Sequence, residues 1–152
     1  MLLTHILQAA CVKVPIAGRD KNSAITELID LLDSQGLLTD KAMVSEAVFA
    51  REQTRSTGIG SGIAIPHGKC HAVKELVMAL GIAHEPIDFD SVDGNPVTLV
   101  ILLVSPTDRT GPHIQALAGI SRLMLDDQFK KALEKAASAE EAYALILGKE
   151  KE

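Results

Sequence analysis

The 152 residues are 47% hydrophobic and 23% charged, a size and balance typical of a single globular domain, here predicted to span residues 1–152. Fifteen Lys and Arg against twenty Asp and Glu leave a net charge of −5, and 3% aromatic content offers few stacking surfaces, so nucleic-acid binding is disfavoured. Two cysteines are too few for a disulfide scaffold, and no stretch approaches the about 20 apolar residues of a membrane span, which favours a cytoplasmic protein without membrane insertion.

Two amphipathic helices are predicted in the first third of the chain. Asn22 is the predicted N-cap of the first, and Gly36 is predicted to end it. Its apolar face follows the i, i+3, i+4, i+7 spacing at Ile25, Leu28, Ile29 and Leu32. Thr39 or Asp40 caps the second helix, and Arg51 lies near its end. The apolar face of that helix is predicted to hold Met43, Val44, Ala47 and Val48.

Two apolar runs, residues 76–83 and 97–104, are predicted to be strands that are covered on both faces. The sequence Asp-Gly-Asn-Pro at 93–96 predicts a turn between them. Buried strands that alternate with amphipathic helices indicate an α/β fold. We therefore expect a single domain with a central sheet and helices on both of its faces.

Three more helices are predicted in the last third of the chain. One begins near Pro112, one after Asp126 and one after Ser138. Glu141, three positions after Ser138, completes a capping-box pattern for the last of them. Gly148 is predicted to end that helix.

The most informative segment reads TGIGSGIAIPHGK, at residues 57–69. The alternating Gly58, Gly60 and Gly62 allow sharp turns and a close approach of backbone N–H groups to an anion, so they are predicted to form a phosphoryl-binding loop. His67 follows a short apolar strand and lies between a proline and a glycine, a stiff but open setting that suits a nucleophile. The alternative is an ordinary loop with a structural histidine. A dinucleotide site is disfavoured because the glycines lead into a strand and not a helix.

Two further residues fit the same chemistry. His113 follows a proline at a predicted helix start, where unpaired N–H groups favour anions and a neutral imidazole. Arg51 is a planar cation that suits a phosphate. A neutral imidazole attacks phosphorus, and catalysis of phosphoryl transfer is mostly positioning and charge stabilisation. His67 as acceptor, with Arg51 and His113 as partners, would meet those needs, although each residue alone is compatible with a structural role.

Four segments together carry a resemblance to a known family. They read FAREQTRST, GIGSGIAIPHGK, PIDFDSVDGNPVTLVILLVSP and HIQALAGISRLM. They resemble enzyme IIA of the fructose, mannitol and nitrogen-regulatory class of the bacterial phosphotransferase system, and are most similar to its nitrogen and fructose branches. The spacing from Arg51 to His67 and from His67 to His113 agrees with the family pattern.

This resemblance implies a function and a site. It implies that His67 accepts a phosphoryl group from the phosphocarrier histidine protein, that Arg51 and His113 line the site, and that no cofactor takes part. The phosphoryl group would pass to a cysteine of a separate IIB domain, or the phosphorylation state would regulate a partner protein. The family fold is a mixed sheet between helices, in agreement with the pattern of elements.

Two alternatives come from other classes of protein. The main interpretation has no metal ligands; as an alternative, the H-x2-C-H pattern of His67, Cys70 and His71 is compatible with a zinc or copper site that would need His113 as its fourth ligand. An activated Cys70 thiol is disfavoured because neighbouring residues of an extended segment point apart.

The second alternative is an interaction module that keeps the fold without the relay. The presence of His67, Arg51 and His113 together counts against it.

Overall fold

A computed structural model describes residues 2–151. After a short 3-10 helix at Leu3–His5, the chain forms five helices and six strands. The helices are α1 Lys21–Ser34, α2 Lys41–Thr54, α3 Thr110–Leu123, α4 Asp127–Glu134 and α5 Ala139–Glu150. The strands are β1 Leu7–Lys13, β2 Gly58–Gly60, β3 Ile63–Ala64, β4 His67–Lys69, β5 Val77–Ile87 and β6 Val97–Ser105.

All six strands belong to one mixed sheet, in which five follow the order β1-β5-β6-β3-β2 and β4 also pairs with β6. β5 runs antiparallel to β6, while β1 runs parallel to β5. The short strands β3 and β4 both pair in parallel with β6, one after the other along its length. This edge of β6 therefore carries the glycine-rich segment at one end and His67 at the other.

Helices cover both faces of the sheet. Successive residues of β5 point to opposite sides, and each side meets a different set of helices. Leu28 of α1 packs over Gly81 on one face. On the other face, Ile120 of α3 and Ile146 of α5 line a small apolar cavity together with Leu80 of β5. The core is built almost wholly from Leu, Ile, Val and Ala side chains. The predicted α/β architecture with helices on both faces is confirmed.

The boundaries of the first two helices test the capping predictions. Asp20, and not Asn22, is the N-cap of α1, and its carboxylate accepts the N–H of Ser23 at 2.8 Å. The prediction for Asn22 was wrong because a carboxylate two residues earlier satisfies the free N–H groups of the first turn. Asp40 caps α2, as predicted. Gly36 follows the end of α1 with a φ of 73°, the left-handed conformation expected after a helix.

Three features differ from the predictions. Strand β1 was not predicted, because its middle residues 8–10 are all exposed and the apolar alternation of a strand is missing. Met43 is 41% exposed and does not share the buried face of α2 with Val44 and Val48. Gly148 lies inside α5, which continues to Glu150 because that glycine adopts no left-handed turn.

Hydrogen bonds join the end of α5 to the start of the described chain. The Glu150 carboxylate accepts the N–H groups of Leu3 and Thr4 and the hydroxyl of Thr4, at 2.6 to 3.0 Å.

Among residues 2–151, no helix is both long enough and apolar enough to cross a membrane.

Candidate functional site

His67 is oriented by its place in strand β4. Alternate residues of a strand point to opposite faces. Gly68 faces α2 so closely that an added Cβ would lie 3.2 Å from the backbone nitrogen of Val48. His67 and Lys69 therefore project to the opposite side, where Lys69 Nζ reaches the Thr110 hydroxyl of α3 at 3.3 Å. The glycine after the histidine thus allows α2 to pack behind the strand that carries it.

The ring of His67 has a defined tautomer. Its Nδ1 lies 2.8 Å from the backbone carbonyl oxygen of Ile65. A carbonyl oxygen only accepts hydrogen bonds, so Nδ1 carries the proton and the neutral ring has its lone pair on Nε2. The side chain is half-buried in a shallow setting. Nε2 is therefore the nucleophilic atom of this ring.

The surroundings of His67 keep its ring neutral. Burial lowers its pKa, and the Ile65 hydrogen bond opposes this by raising it. The Arg51 and Lys69 cations lower the pKa further, while the Glu52 carboxylate raises it. The net result is a pKa below the ordinary value of histidine, so the lone pair is available at neutral pH.

His113 lies beside His67. The centroids of the two rings are 5.4 Å apart and their planes are inclined by 58°. His113 is 4% exposed, and its Nδ1 lies 2.6 Å from the hydroxyl oxygen of Ser105, the last residue of β6. Burial, with smaller effects of His67 and Lys69, lowers its pKa to about 4. The second histidine is therefore a fixed, neutral ring.

Arg51 lines the same cleft as His67. It lies in the last turn of α2, where its Nη1 donates to the carbonyl of Arg55 at 3.0 Å, which holds the guanidinium in place. The cleft has a volume of about 420 Å³. It is lined by both charged and apolar side chains, among them Arg51, Arg55, Ile59, Ile65, His67, Val92 and Leu117. A half-buried imidazole and two guanidinium groups thus share one cleft.

The beginning of α3 adds a further positive feature near the two histidines. Its N-cap, Arg109, makes no side-chain hydrogen bond to the first turn. The free N–H groups of an uncapped helix start carry partial positive charge and attract anions. Lys69 lies against Thr110 in this first turn. The positive groups around His67 are therefore side chains of α2 and β4 together with the start of α3.

The structure does not bring all three glycines to His67. Ile63 pairs with Leu99, and His67 pairs with Leu103, four residues farther along β6, which separates the two points by about 13 Å. Gly60 and Gly62 lie at the far end, with φ values of 100° and 79°, where they form the tight turn between β2 and β3.

The chemistry around the glycine turn also differs from that of an anion site. The Asp93 carboxylate accepts the N–H of Ser61 at 3.0 Å, and it lies 3.2 Å from the position of a Cβ on Gly60. Gly58 is nearer to the cleft, but its N–H donates to Ser56 Oγ at 3.0 Å. Gly60 and Gly62 shape the turn of the hairpin at the end of β3 away from His67, and the N–H of Gly58 already donates to Ser56.

The predicted metal ligands are also separated. Cys70 is buried in the apolar core, whereas His71 is exposed and its Nδ1 lies 3.3 Å from the Thr107 hydroxyl. Within residues 2–151, no group of three or more His, Cys, Asp or Glu side chains is arranged to hold a metal ion. The alternative of a site built from His67, Cys70, His71 and His113 therefore lacks structural support.

Sequence reasoning missed three residues that act on the two histidines, Ser105 by a hydrogen bond and Lys69 and Glu52 through their charges. Ser105 holds His113, Lys69 lies beside both histidines, and the buried Glu52 binds the loop that leads to β2. Lys69 follows His67 by two positions, and strand alternation alone could have placed both on one face. Ser105 and Glu52 gave no such signal, because their partners depend on tertiary contacts.

The low pKa of His113 predicts a dependence of stability on pH. The folded protein keeps this ring neutral down to about pH 4, whereas the unfolded chain binds a proton near pH 6.5. Below pH 6.5 the unfolded state therefore binds more protons, and the free energy of unfolding falls as the pH falls. From pH 7 to pH 5 we expect His113 to account for a loss of about 2 kcal/mol.

Urea unfolding of wild type and His113→Gln at both pH values measures this effect. The variant should lose much less stability between pH 7 and pH 5 than wild type does, while His71→Gln, at an exposed histidine, should behave as wild type. Equal losses in wild type and His113→Gln would contradict the assignment. At pH 5 most carboxylates are still ionised, and their remaining contribution is common to wild type and the variant.

Comparison with known proteins identifies related sequences and folds. Residues 5–149 match the sequence profile of the family described as phosphoenolpyruvate-dependent sugar phosphotransferase system, EIIA 2. The PTS system fructose-specific EIIABC component of Bacillus subtilis (strain 168) is 34% identical over 146 residues, which are 96% of this chain and 23% of that protein. The chain thus spans about a quarter of that relative. The nitrogen regulatory protein of Klebsiella oxytoca is 35% identical over 147 residues, 95% of this chain and 89% of that protein.

A solved structure has the same fold. The crystal structure of nitrogen regulatory protein IIA-Ntr from Neisseria meningitidis superposes with a TM-score of 0.86 at 32% sequence identity. The match covers 95% of this chain and 98% of that one.

Proposed function

Because this chain belongs to the EIIA 2 family of the phosphoenolpyruvate-dependent sugar phosphotransferase system, we propose that it accepts a phosphoryl group on Nε2 of His67. The resemblance predicted from the GIAIPHGK motif is confirmed at the level of the family. Members of this family are phosphotransfer components. The phosphohistidine, its donor and its acceptor are proposals for this chain.

The observation that carries the proposal is the hydrogen bond from His67 Nδ1–H to the Ile65 carbonyl at 2.8 Å. It leaves Nε2 unprotonated and holds the ring in one orientation, so no proton has to leave before the attack. In the reaction, the lone pair of Nε2 forms a bond to phosphorus as the bond between phosphorus and the donor nitrogen breaks. The electron pair of the broken bond stays on the donor nitrogen, and the proton on Nδ1 of His67 stays where it is.

The charge on the transferring phosphoryl group is stabilised by fixed positive groups. Arg51 and Lys69 act electrostatically on His67, and the uncapped start of α3 lies beside Lys69. Such groups stabilise the equatorial oxygens of a loose transition state without reorganisation during the reaction. His113 supplies a neutral ring that packs against His67 and limits its movement.

We assign the glycine turn an indirect role. The distance of Gly60 and Gly62 from His67 and the Asp93 carboxylate beside the turn favour anchoring of β3 over phosphoryl binding. Of the three glycines, Gly58 remains the candidate for a contact with a phosphoryl group. It pairs with Ala64, which is nearer to the cleft than the turn that holds Gly60 and Gly62.

The partner surface surrounds the cleft. Ile59 and Val92 line the cleft and are 50% and 67% exposed, and Ile114, which follows His113 in α3, is 59% exposed. Ile63 of β3 is 4% exposed and does not contribute to this surface. The proposed partners are the phosphocarrier histidine protein as donor and a IIB domain or a regulatory protein as the next partner. We expect the interface to be small, below roughly 1,200 Å², as in other transient complexes.

The proposal is tested by mixing the protein with a phosphorylated histidine phosphocarrier and measuring the intact mass. We expect a gain of one phosphate that is lost after brief treatment with acid. A mass that stays unchanged while the two proteins form a complex would support the interaction module in place of the relay.

His113→Ala should still accept phosphate, but at a rate about tenfold lower. The nucleophile is retained, whereas the packing that orients it is lost, and small displacements of reacting groups are costly. Rapid-quench measurement of phosphorylated protein gives the rate. A rate equal to that of wild type would show that His113 does not orient His67 for phosphoryl transfer.

A further inference from the structure

The buried carboxylate of Glu52 is not used in the mechanism above. Its side chain is 3% exposed and lies in the last turn of α2, directly after Arg51. Oε2 accepts the backbone N–H of Thr57 at 2.9 Å, and Oε1 accepts the Thr57 hydroxyl at 2.5 Å. Lys21 Nζ lies 2.8 Å from Oε2 and neutralises the charge. Every oxygen of this carboxylate therefore has a partner.

From Thr57 the hydrogen bonds continue to the nucleophile. The carbonyl of Thr57 accepts the N–H of Ile65 at 3.0 Å. The carbonyl of Ile65 accepts Nδ1–H of His67 at 2.8 Å. Three successive hydrogen bonds thus connect Glu52 with Nδ1 of His67 through Thr57 and Ile65. Each of these hydrogen bonds is made by a backbone group, so a shift at Thr57 moves the Ile65 carbonyl.

A second carboxylate in the protein has a similar arrangement without the link to His67. Glu27 accepts the N–H groups of Ala17 and Gly18 at 2.9 and 2.8 Å and pairs with Lys13 at 2.7 Å. It holds a loop on the side of β1 and contacts none of the groups around the cleft. Glu27 is therefore a matched control for the general effect of removing a loop-binding carboxylate.

We propose that Glu52 is a positioning residue of phosphoryl transfer: by binding Thr57 it places the Ile65 carbonyl that holds His67 with Nε2 free. The inference rests on the proposed function, in which His67 is the acceptor. Glu52 acts through Thr57 and Ile65 and has no contact with the phosphoryl group. Glu52 follows Arg51 in the last turn of α2, so the same helix end positions the Arg51 guanidinium and, through Glu52, the His67 ring.

Two variants separate the positioning from the charge. In Glu52→Gln, the amide oxygen can accept the Thr57 N–H and the amide N–H can donate to the Thr57 hydroxyl, so this connection is retained without the negative charge. In Glu52→Ala the connection is lost. Nitrogen-15 NMR of the histidine rings in the unphosphorylated protein distinguishes a proton on Nδ1 from a proton on Nε2.

We expect wild type, Glu52→Gln and Glu27→Ala to show His67 protonated on Nδ1 when neutral. Glu52→Gln should also show a lower pKa of His67, because a nearby negative charge is removed. Glu52→Ala should show the Nε2–H tautomer in addition, and should accept phosphate about tenfold more slowly. A folded Glu52→Ala with the wild-type tautomer and rate would overturn the proposal, as would equal changes in Glu27→Ala.

A second pair of variants covers the case in which Glu52→Ala does not fold. Thr57→Ala removes the hydroxyl link, and Thr57→Ser restores it. The first should show part of the tautomer change and the second none, whereas identical spectra for both would overturn the proposal. The NMR readout needs no phosphate, so failure of wild type to accept phosphate would reject the proposed function and leave the positioning result to be judged by the spectra.

Discussion

His67→Ala is expected to abolish phosphoryl acceptance. Its imidazole is the ring in the cleft with a free Nε2, and the ring of His113 lies behind it, buried and held at Nδ1 by Ser105. Alanine provides no lone pair for the attack on phosphorus. After incubation with a phosphorylated histidine phosphocarrier, the intact mass of the variant should equal that of the untreated variant.

His71→Ala is the matched control for this variant. It removes an exposed histidine four positions farther along the chain, whose ring faces Thr107. This protein should gain one phosphate at the wild-type rate. Acid-labile phosphate on His67→Ala, or its loss from His71→Ala, would show that the acceptor was assigned to the wrong residue.

Arg51→Ala is expected to lower the rate of phosphoryl acceptance by about 100-fold, the size of effect seen when one preorganised donor is removed from a transition state. The bond to the Arg55 carbonyl fixes the guanidinium, and the remaining N–H groups are free to face an anion in the cleft. Arg51→Lys should recover only part of the rate, because a lysine offers charge without the planar pair of donors.

Single-turnover measurements on these variants give the rates directly. Arg122→Ala removes a cation in the last turn of α3 and should behave as wild type. The pKa of His67 should rise in Arg51→Ala, since a nearby positive charge is lost. If Arg51→Ala and Arg122→Ala accept phosphate equally fast, Arg51 does not stabilise the transition state.

Three helix starts were predicted from local signals, although the local signals at Asn22 and Gly148 were misleading. Asp40, Asp126 and Ser138 cap the helices that follow them, because a capping side chain reaches backbone groups only two or three residues away. The buried strands β5 and β6 were found from their apolar runs. Strand β1 was not found, since its pairing with β5 is set by contacts some 70 residues away in sequence.

The site was predicted only in part. Spacing and residue type selected His67, His113 and Arg51, and the structure places the first two rings in contact and the first and third in one cleft. The glycine turn was assigned to the phosphoryl group because its composition suits an anion, but its distance from His67 depends on the register along β6, which composition does not encode. Glu52 and Ser105 depend on tertiary contacts in the same way.

Nitrogen-15 and phosphorus-31 NMR of the phosphorylated protein tests the central claim most directly. The account predicts one phosphorus atom, coupled to Nε2 of His67, with the proton of the ring still on Nδ1. Coupling to Nδ1, phosphorus on any other side chain, or a spectrum without a phosphorus–nitrogen bond would contradict it.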